Sequence, residues 1–201
     1  MSERFLIAVV VGSAVGLSAF TLWADVPDPG YSDVQWGNTV DDTTVMICPS
    51  CDASYMQVYV KDESNSPVVG VLVSASFGSP SVHLVGPVEG YTDPSGYVEL
   101  NICGGLDAST VEQSVSSSIT VMCLGVTLYY SPAKDVLSPD MCQGPFSVNI
   151  VEALDFAVFA TDWLSLRPGS RSNFNRLCNE SGGECVGGLD YSIFASHWLH
   201  Q

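Results

Sequence analysis

The chain has 201 residues, 46% of them hydrophobic and 14% charged, with 22 acidic against 6 basic side chains. It is apolar enough for a packed core and too apolar for a disordered chain. Its acidity repels phosphate backbones and argues against nucleic acid as a partner.

Residues 1–24 read as a signal peptide. Arg4 precedes an almost unbroken apolar run from Phe5 to Trp23, and Ala24 suits the last position before cleavage. Leu22 suits that site poorly, so the alternative is an uncleaved anchor, the one route by which this chain would meet a membrane. All seven cysteines (Cys48, Cys51, Cys103, Cys123, Cys142, Cys178 and Cys185) lie beyond this segment. In an exported chain they read as a disulfide framework of open connectivity, with an odd thiol left over.

Residues 25–53, rich in Asp, Pro, Gly and Thr, read as a lead-in with at most one short strand. The signal over 54–130 is β. Met56, Val58 and Val60 alternate with Gln57, Tyr59 and Lys61, the period of a half-buried strand. Val71–Phe77, Tyr97–Ile102, Ser118–Met122 and Val126–Tyr130 follow, separated by turn clusters such as Asp93-Pro94-Ser95-Gly96. This is the pattern of an all-β immunoglobulin-like sandwich. Its expected core holds Val58, Val60, Val71, Val73, Val98, Leu100, Ile119 and Val121. Residues 131–137, with Pro132, read as a linker.

Residues 138–201 change to a helical period and contain a duplication. Asp155 to Leu164 recurs as Asp190 to Leu199 at an offset of 35, with five of ten positions identical. Each copy carries an apolar stripe: Phe156, Phe159, Ala160, Trp163 and Leu164, then Tyr191, Phe194, Ala195, Trp198 and Leu199. Helices this short need a partner. The expectation is a small α-helical pair sharing one core of Phe159, Trp163, Phe194 and Trp198; an aromatic ligand platform is the alternative.

The tail resembles the dockerin type I family, especially the degenerate dockerin-like tails of exported bacterial proteins. The resemblance rests on Ser138-Pro139-Asp140, on Val148-Asn149-Ile150 and on the two Asp-to-Leu helices. In that family a calcium loop of EF-hand type feeds each helix. The resemblance therefore implies calcium as cofactor, with Asp140, Asn149, Glu152 and Asp155 as ligands in loop one and Asn175, Asn179 and Asp190 in loop two. It also implies docking to a cohesin-like or other cell-surface protein. The loops depart from the family. Such a loop needs oxygen ligands at positions 1, 3, 5, 9 and 12. With Asp155 at the last of these, Gly144, Phe146 and Val148 occupy the first three; with Asp190 there, Gly183 falls at the third. Without an ion, Asp155 and Asp190 are helix-capping acids. A disulfide between Cys178 and Cys185 would then take over the structural role of a lost ion. The first half is similar to bacterial Ig-like modules of exported surface proteins, through Val58 to Asp62, Ser66 to Ala75 and Tyr91 to Leu100.

No catalytic pattern assembles. The mature chain lacks a Gly-x-Ser-x-Gly, a His-Glu-x-x-His and a phosphate-binding glycine loop. Cys48-Pro-Ser-Cys51 has redox or zinc spacing but lies in a β-like context, so structural disulfides are expected there. His197 and His200 near the chain end read as solvated. The expected function is that of a secreted or surface-associated, non-catalytic interaction protein. A small exported carbohydrate-binding or hydrolytic sandwich protein is the rival reading.

Overall fold

The computed structural model describes residues 25–108, 113–141, 150–178 and 184–199. The signal-peptide segment 1–24 and the loop residues Asn149 and Asn179 lie outside these. Among these residues ten strands come first and two helices last. The strands are β1 (Asp33–Gly37), β2 (Thr44–Met46), β3 (Tyr55–Tyr59), β4 (Leu72–Phe77), β5 (Val82–Leu84), β6 (Val88–Tyr91), β7 (Tyr97–Asn101), β8 (Gly104–Leu106), β9 (Val115–Cys123) and β10 (Val126–Leu137). The helices are α1 (Ala153–Asp162) and α2 (Gly188–Ser196).

Two sheets form a β-sandwich. One has the order β1-β3-β7, the other β2-β10-β9-β4-β6, and β5 pairs with β8 at one end. Alternation explains how they close. On β3 and β7, Met56 lies opposite Leu100 and Val58 opposite Val98, all four buried. On β9, inward Ile119, Val121 and Cys123 alternate with polar or exposed neighbours and pair with Phe77, Ala75 and Val73 of β4. The period of 2 sends one set of side chains from each sheet into a shared layer. Of the eight expected core residues, seven are buried; Val71, just ahead of β4, is half-buried.

The turn into β7 is set by Asp93 and Gly96. The Asp93 carboxylate accepts N–H bonds from Ser95 and Tyr97 at 2.8 and 3.0 Å. Gly96 has φ +76°, and a Cβ there would meet the Val60 carbonyl at 2.5 Å. A side chain is therefore excluded both by conformation and by space.

Two boundaries differ from the sequence reading. The lead-in 25–53 supplies β1 and β2, both integral to the sheets. Residues 131–137, expected as a linker, are the second half of β10, a strand flanked by β2 and β9. Pro132 misled the reading. It sits in an irregularity between Ser131 and Lys134, where the ladder with β9 is broken, so its missing N–H costs no pairing bond. Beyond it Lys134 is buried, its ammonium donating to the Asp42 carbonyl at 2.7 Å and lying over the Trp36 ring.

β10 runs straight into the tail. Leu137 at its end joins a second core with Met141, Val151, Phe159, Phe174, Val186 and Phe194, against which Met46 of β2 packs. Two arginines tie the parts together. Arg171 is buried, forms a two-pronged pair with Asp162 at 2.8 and 3.2 Å, and donates to the Ala108 carbonyl of the sandwich at 2.6 Å. Ser172 donates to the same carboxylate at 2.6 Å. Arg176 reaches Asp135 of β10 at 2.8 Å.

Candidate functional site

The duplication folds into a pseudo-symmetric pair of helices. At its centre Phe159 and Phe194 stack with ring centres 5.2 Å apart, and Phe174 stacks on Phe159. On either side lies an equivalent edge-to-face pair, Trp163 with Tyr191 and Trp198 with Phe156, each at 6.4 Å and 88°. The backbone repeats the relation. Leu164 and Leu199, both with positive φ, donate across to the Val186 and Val151 carbonyls at 3.0 and 2.9 Å. Each repeat thus finishes its helix on the other repeat's loop, which is why one copy needs the second.

The stripe buries less than its pattern suggests. Phe159 and Phe194 are buried, but Trp163 and Trp198 are 45% and 40% exposed and stand at the rim rather than in a shared interior. Phe156, Leu164, Tyr191 and Leu199 are exposed as well. The reason is geometric: two helices in contact cover a narrow strip of each other, and nothing among the described residues covers the outer edge. Of the twenty exposed large hydrophobic side chains among the described residues, ten lie between Leu154 and Leu199, so their apolar surface is concentrated on the tail. The charged side chains of both helices (Asp155, Asp162 and Asp190) are buried, so no charge interrupts that face. It carries two open grooves of about 490 and 540 Å³, both lined by Phe156 and Tyr191, with Trp198 closing one and Trp163 the other.

Asp155 and Asp190 serve the backbone. Asp155 accepts N–H bonds from Met141 and Glu152, both at 2.8 Å. Asp190 accepts from Asn175 at 3.1 Å and Gly187 at 2.9 Å. Each is the third residue of its helix and ties the incoming loop to the helix start. Burial pushes the Asp190 carboxyl above its ordinary range, against the pull of those N–H donors. Asp140 is buried at the junction, its carbonyl accepting from Leu106. Glu152 is the residue preceding α1, and the Asn175 side chain accepts from Leu177 N–H at 2.6 Å. Among the described residues Asp140, Glu152 and Asp155 do not gather into a three-carboxylate cluster, and Asp155 and Asp190 already accept backbone N–H bonds.

A different set does converge. Cys48, Asp52 and His197 bring a thiol, a carboxylate and an imidazole within 4.8 Å of one another. Cys48 Sγ lies 2.9 Å and His197 Nδ1 3.5 Å from Asp52 Oδ1, and Ser50 Oγ donates to that oxygen at 2.6 Å. These hydrogen bonds, from Cys48 first and then Ser50, hold the Asp52 carboxyl below its ordinary range. Burial, with Asp52 alongside, pushes the Cys48 thiol up. His197 is buried, a correction to its reading as solvated: it caps α2 and turns toward the sandwich. Cys51, the other half of the Cys-x-x-Cys, is bonded to Cys103, and Cys178 is bonded to Cys185. Sequence reasoning noted the spacing of Cys48 and Cys51 but had no signal that His197, far along the chain, would meet it. Arg171 and Asp162 were likewise missed, since a lone Arg in a polar loop has no pattern.

No family model matches the sequence, and no curated protein does. Two solved structures align in part. The D00-D0 domain of intimin aligns at 14% identity and TM-score 0.37, covering 57% of this chain and 49% of that one. The Yersinia pseudotuberculosis adhesin InvE aligns at 19% identity and TM-score 0.36, covering 57% of this chain and 28% of that one. The chain thus spans about half the length of the first and less of the second. At these scores neither likeness assigns a function.

Proposed function

We propose that this chain is a secreted or surface-associated, non-catalytic interaction protein, in which the sandwich is a spacer and the helix pair docks onto a cell-surface protein. One observation carries the reading: an uncharged face on which Phe156, Trp163, Tyr191 and Trp198 stand at 40–47% exposure. Exposed patches of this kind mark interaction surfaces, and Trp and Tyr supply much of the energy at protein interfaces. The chain around it is strongly acidic, with a formal charge of −16. That favours a partner with a basic rim and disfavours a second copy of this chain. Two disulfides fit an oxidising compartment. Among the described residues no helix is long and apolar enough to cross a membrane.

The dockerin resemblance names a receptor class to try first. Purified cohesin modules, immobilised, should bind the full chain saturably, and the double variant Trp163→Ala/Trp198→Ala should lose at least about tenfold in affinity, as loss of a hot-spot residue does. Failure of every cohesin tested, together with aromatic-dependent binding of soluble oligosaccharides, would replace this reading by the carbohydrate-binding one.

A further inference from the structure

We propose that Cys48, Asp52 and His197 form a zinc site that clips the helical tail onto the sandwich. The three side chains differ in kind, which sets this cluster apart from a patch of surface acids. A thiolate, an imidazole and a carboxylate are the ligand types zinc takes, and the thiolate disfavours calcium and magnesium. With ordinary zinc bond lengths, the edges of a tetrahedral site are about 3.3–3.6 Å. The separation of 3.5 Å from His197 Nδ1 to Asp52 Oδ1 falls within that range, and that of 2.9 Å from Cys48 Sγ to Asp52 Oδ1 is somewhat shorter. The third edge, between the Cys48 and His197 ligand atoms, is within 4.8 Å, so the three ligands already face one common point.

The surroundings hold the ligands in place. Cys48 is fully buried and His197 is 8% exposed. The Cys48 carbonyl accepts N–H bonds from Cys51 and Gly104 at 3.2 and 3.0 Å, and the Cys51–Cys103 disulfide fastens the same loop to β8's approach. Ser50 orients Asp52 from outside, the part an outer-sphere group plays at a metal site. Asp52 is the exposed member, with its side chain 57% accessible, so the ion has an entry path and an open fourth position for water.

A thiol-protease reading fits less well. There the imidazole stands between thiol and carboxylate; here the carboxylate stands between thiol and imidazole, and the sulfur is sealed from substrate. The topology gives the ion a structural task. Cys48 and Asp52 precede β3, whereas His197 ends α2 beside Trp198. One ion therefore ties the C-terminal end of the tail to the sandwich and sets how the aromatic face is presented. The site itself is independent of what that face binds.

The test uses the full chain with its disulfides intact. Cobalt(II) serves as a spectroscopic stand-in and zinc(II) as the titrant in calorimetry. The expected result is one ion per chain, a thiolate-to-cobalt charge-transfer absorption, and a zinc-dependent rise in Tm. Cys48→Ser should abolish the absorption. His197→Gln and Asp52→Asn should weaken zinc by at least about tenfold, the lower end of what losing even an outer-sphere partner costs. Cys123→Ser, remote from the site, should leave all three readouts unchanged. Circular dichroism of each variant separates loss of the site from loss of the fold. Should Cys48→Ser fail to fold, the two milder variants carry the test. No binding of either ion, a cobalt band that survives Cys48→Ser, zinc affinity unchanged in both milder variants, or peptide mapping that finds Cys48 in a disulfide would each overturn the proposal.

Discussion

Between Tyr55 and Leu137 the chain hides its apolar side chains at alternate positions, in a layer closed from both sides by sheets. Between Ala153 and Leu199 it hides one aromatic ring per helix and leaves Trp163, Trp198, Phe156 and Tyr191 at the surface. A strand in a sandwich has a facing sheet for its whole inner side. A helix with a single neighbour has cover for only part of its stripe. Residues of like hydrophobicity therefore become interior in one region and surface in the other. The difference shows that the tail's hydrophobic pattern is divided between interior and surface.

The sharpest break in that comparison is at the joint. Arg171→Ala leaves Asp162 buried without its cation and removes the donor to Ala108. It should destabilise the tail by about 3–5 kcal/mol, read as a shift in denaturation followed by tryptophan fluorescence. A loss under about 1 kcal/mol would mean that the apolar second core alone holds the tail to the sandwich.

Within the tail, Phe159→Ala should cost about 3–5 kcal/mol, since it empties the centre of the aromatic stack. Trp163→Ala should cost less than about 2 kcal/mol despite the larger side chain, because almost half of it is already in water. Equal losses in urea denaturation would place the tryptophan in the core after all.

Asp155→Asn tests what the carboxylate is for. An amide offers one oxygen where the carboxylate takes N–H bonds on two, from Met141 and Glu152. A loss of about 1–3 kcal/mol is expected, as for a buried donor left unpaired, with no change in Tm when millimolar calcium is added to the parent chain. A calcium-dependent rise that vanishes in Asp155→Asn would restore the ion-ligand role that the dockerin resemblance implies.

The smallest effect separates the regions by sign. The Ser95 hydroxyl, with the N–H groups of the turn, holds Asp93 below its ordinary 3.8. Its contribution to the sandwich is full above that value and is lost as pH falls through the lower folded one. Burial raises Asp190 above 3.8. Its neutral form is favoured in the fold, so the tail gains as pH falls from the folded value toward 3.8. Denaturation of Asp93→Asn and Asp190→Asn against the parent across this range should give differences of opposite slope. Slopes of the same sign would show that one of the two environments is misread.

The regularity of these two regions decided how much could be read in advance. Val58, Val73, Leu100 and Ile119 were legible as core because period 2 in a sandwich fixes the inward side, whatever the strand order. The duplicated helices were legible because Asp155 to Leu164 and Asp190 to Leu199 are nearly the same text. β5 and β8 were not, being three residues each and pairing across a long separation. β10 was cut short because Pro132 ends strands in most contexts, and only its place at a bulge excuses it.

Local periodicity and turn chemistry act over a few residues, so the sequence by itself determined the sandwich class, the repeat and the contact between its helices. Burial of a given ring, the partner of Arg171 and the meeting of Cys48 with His197 depend on residues far apart in the chain. They depend as well on the surface left over once each element has found cover. Those were decided only when the tail folded back on the end of β10, for the same Trp in the same helix would be interior had a third element been there to face it.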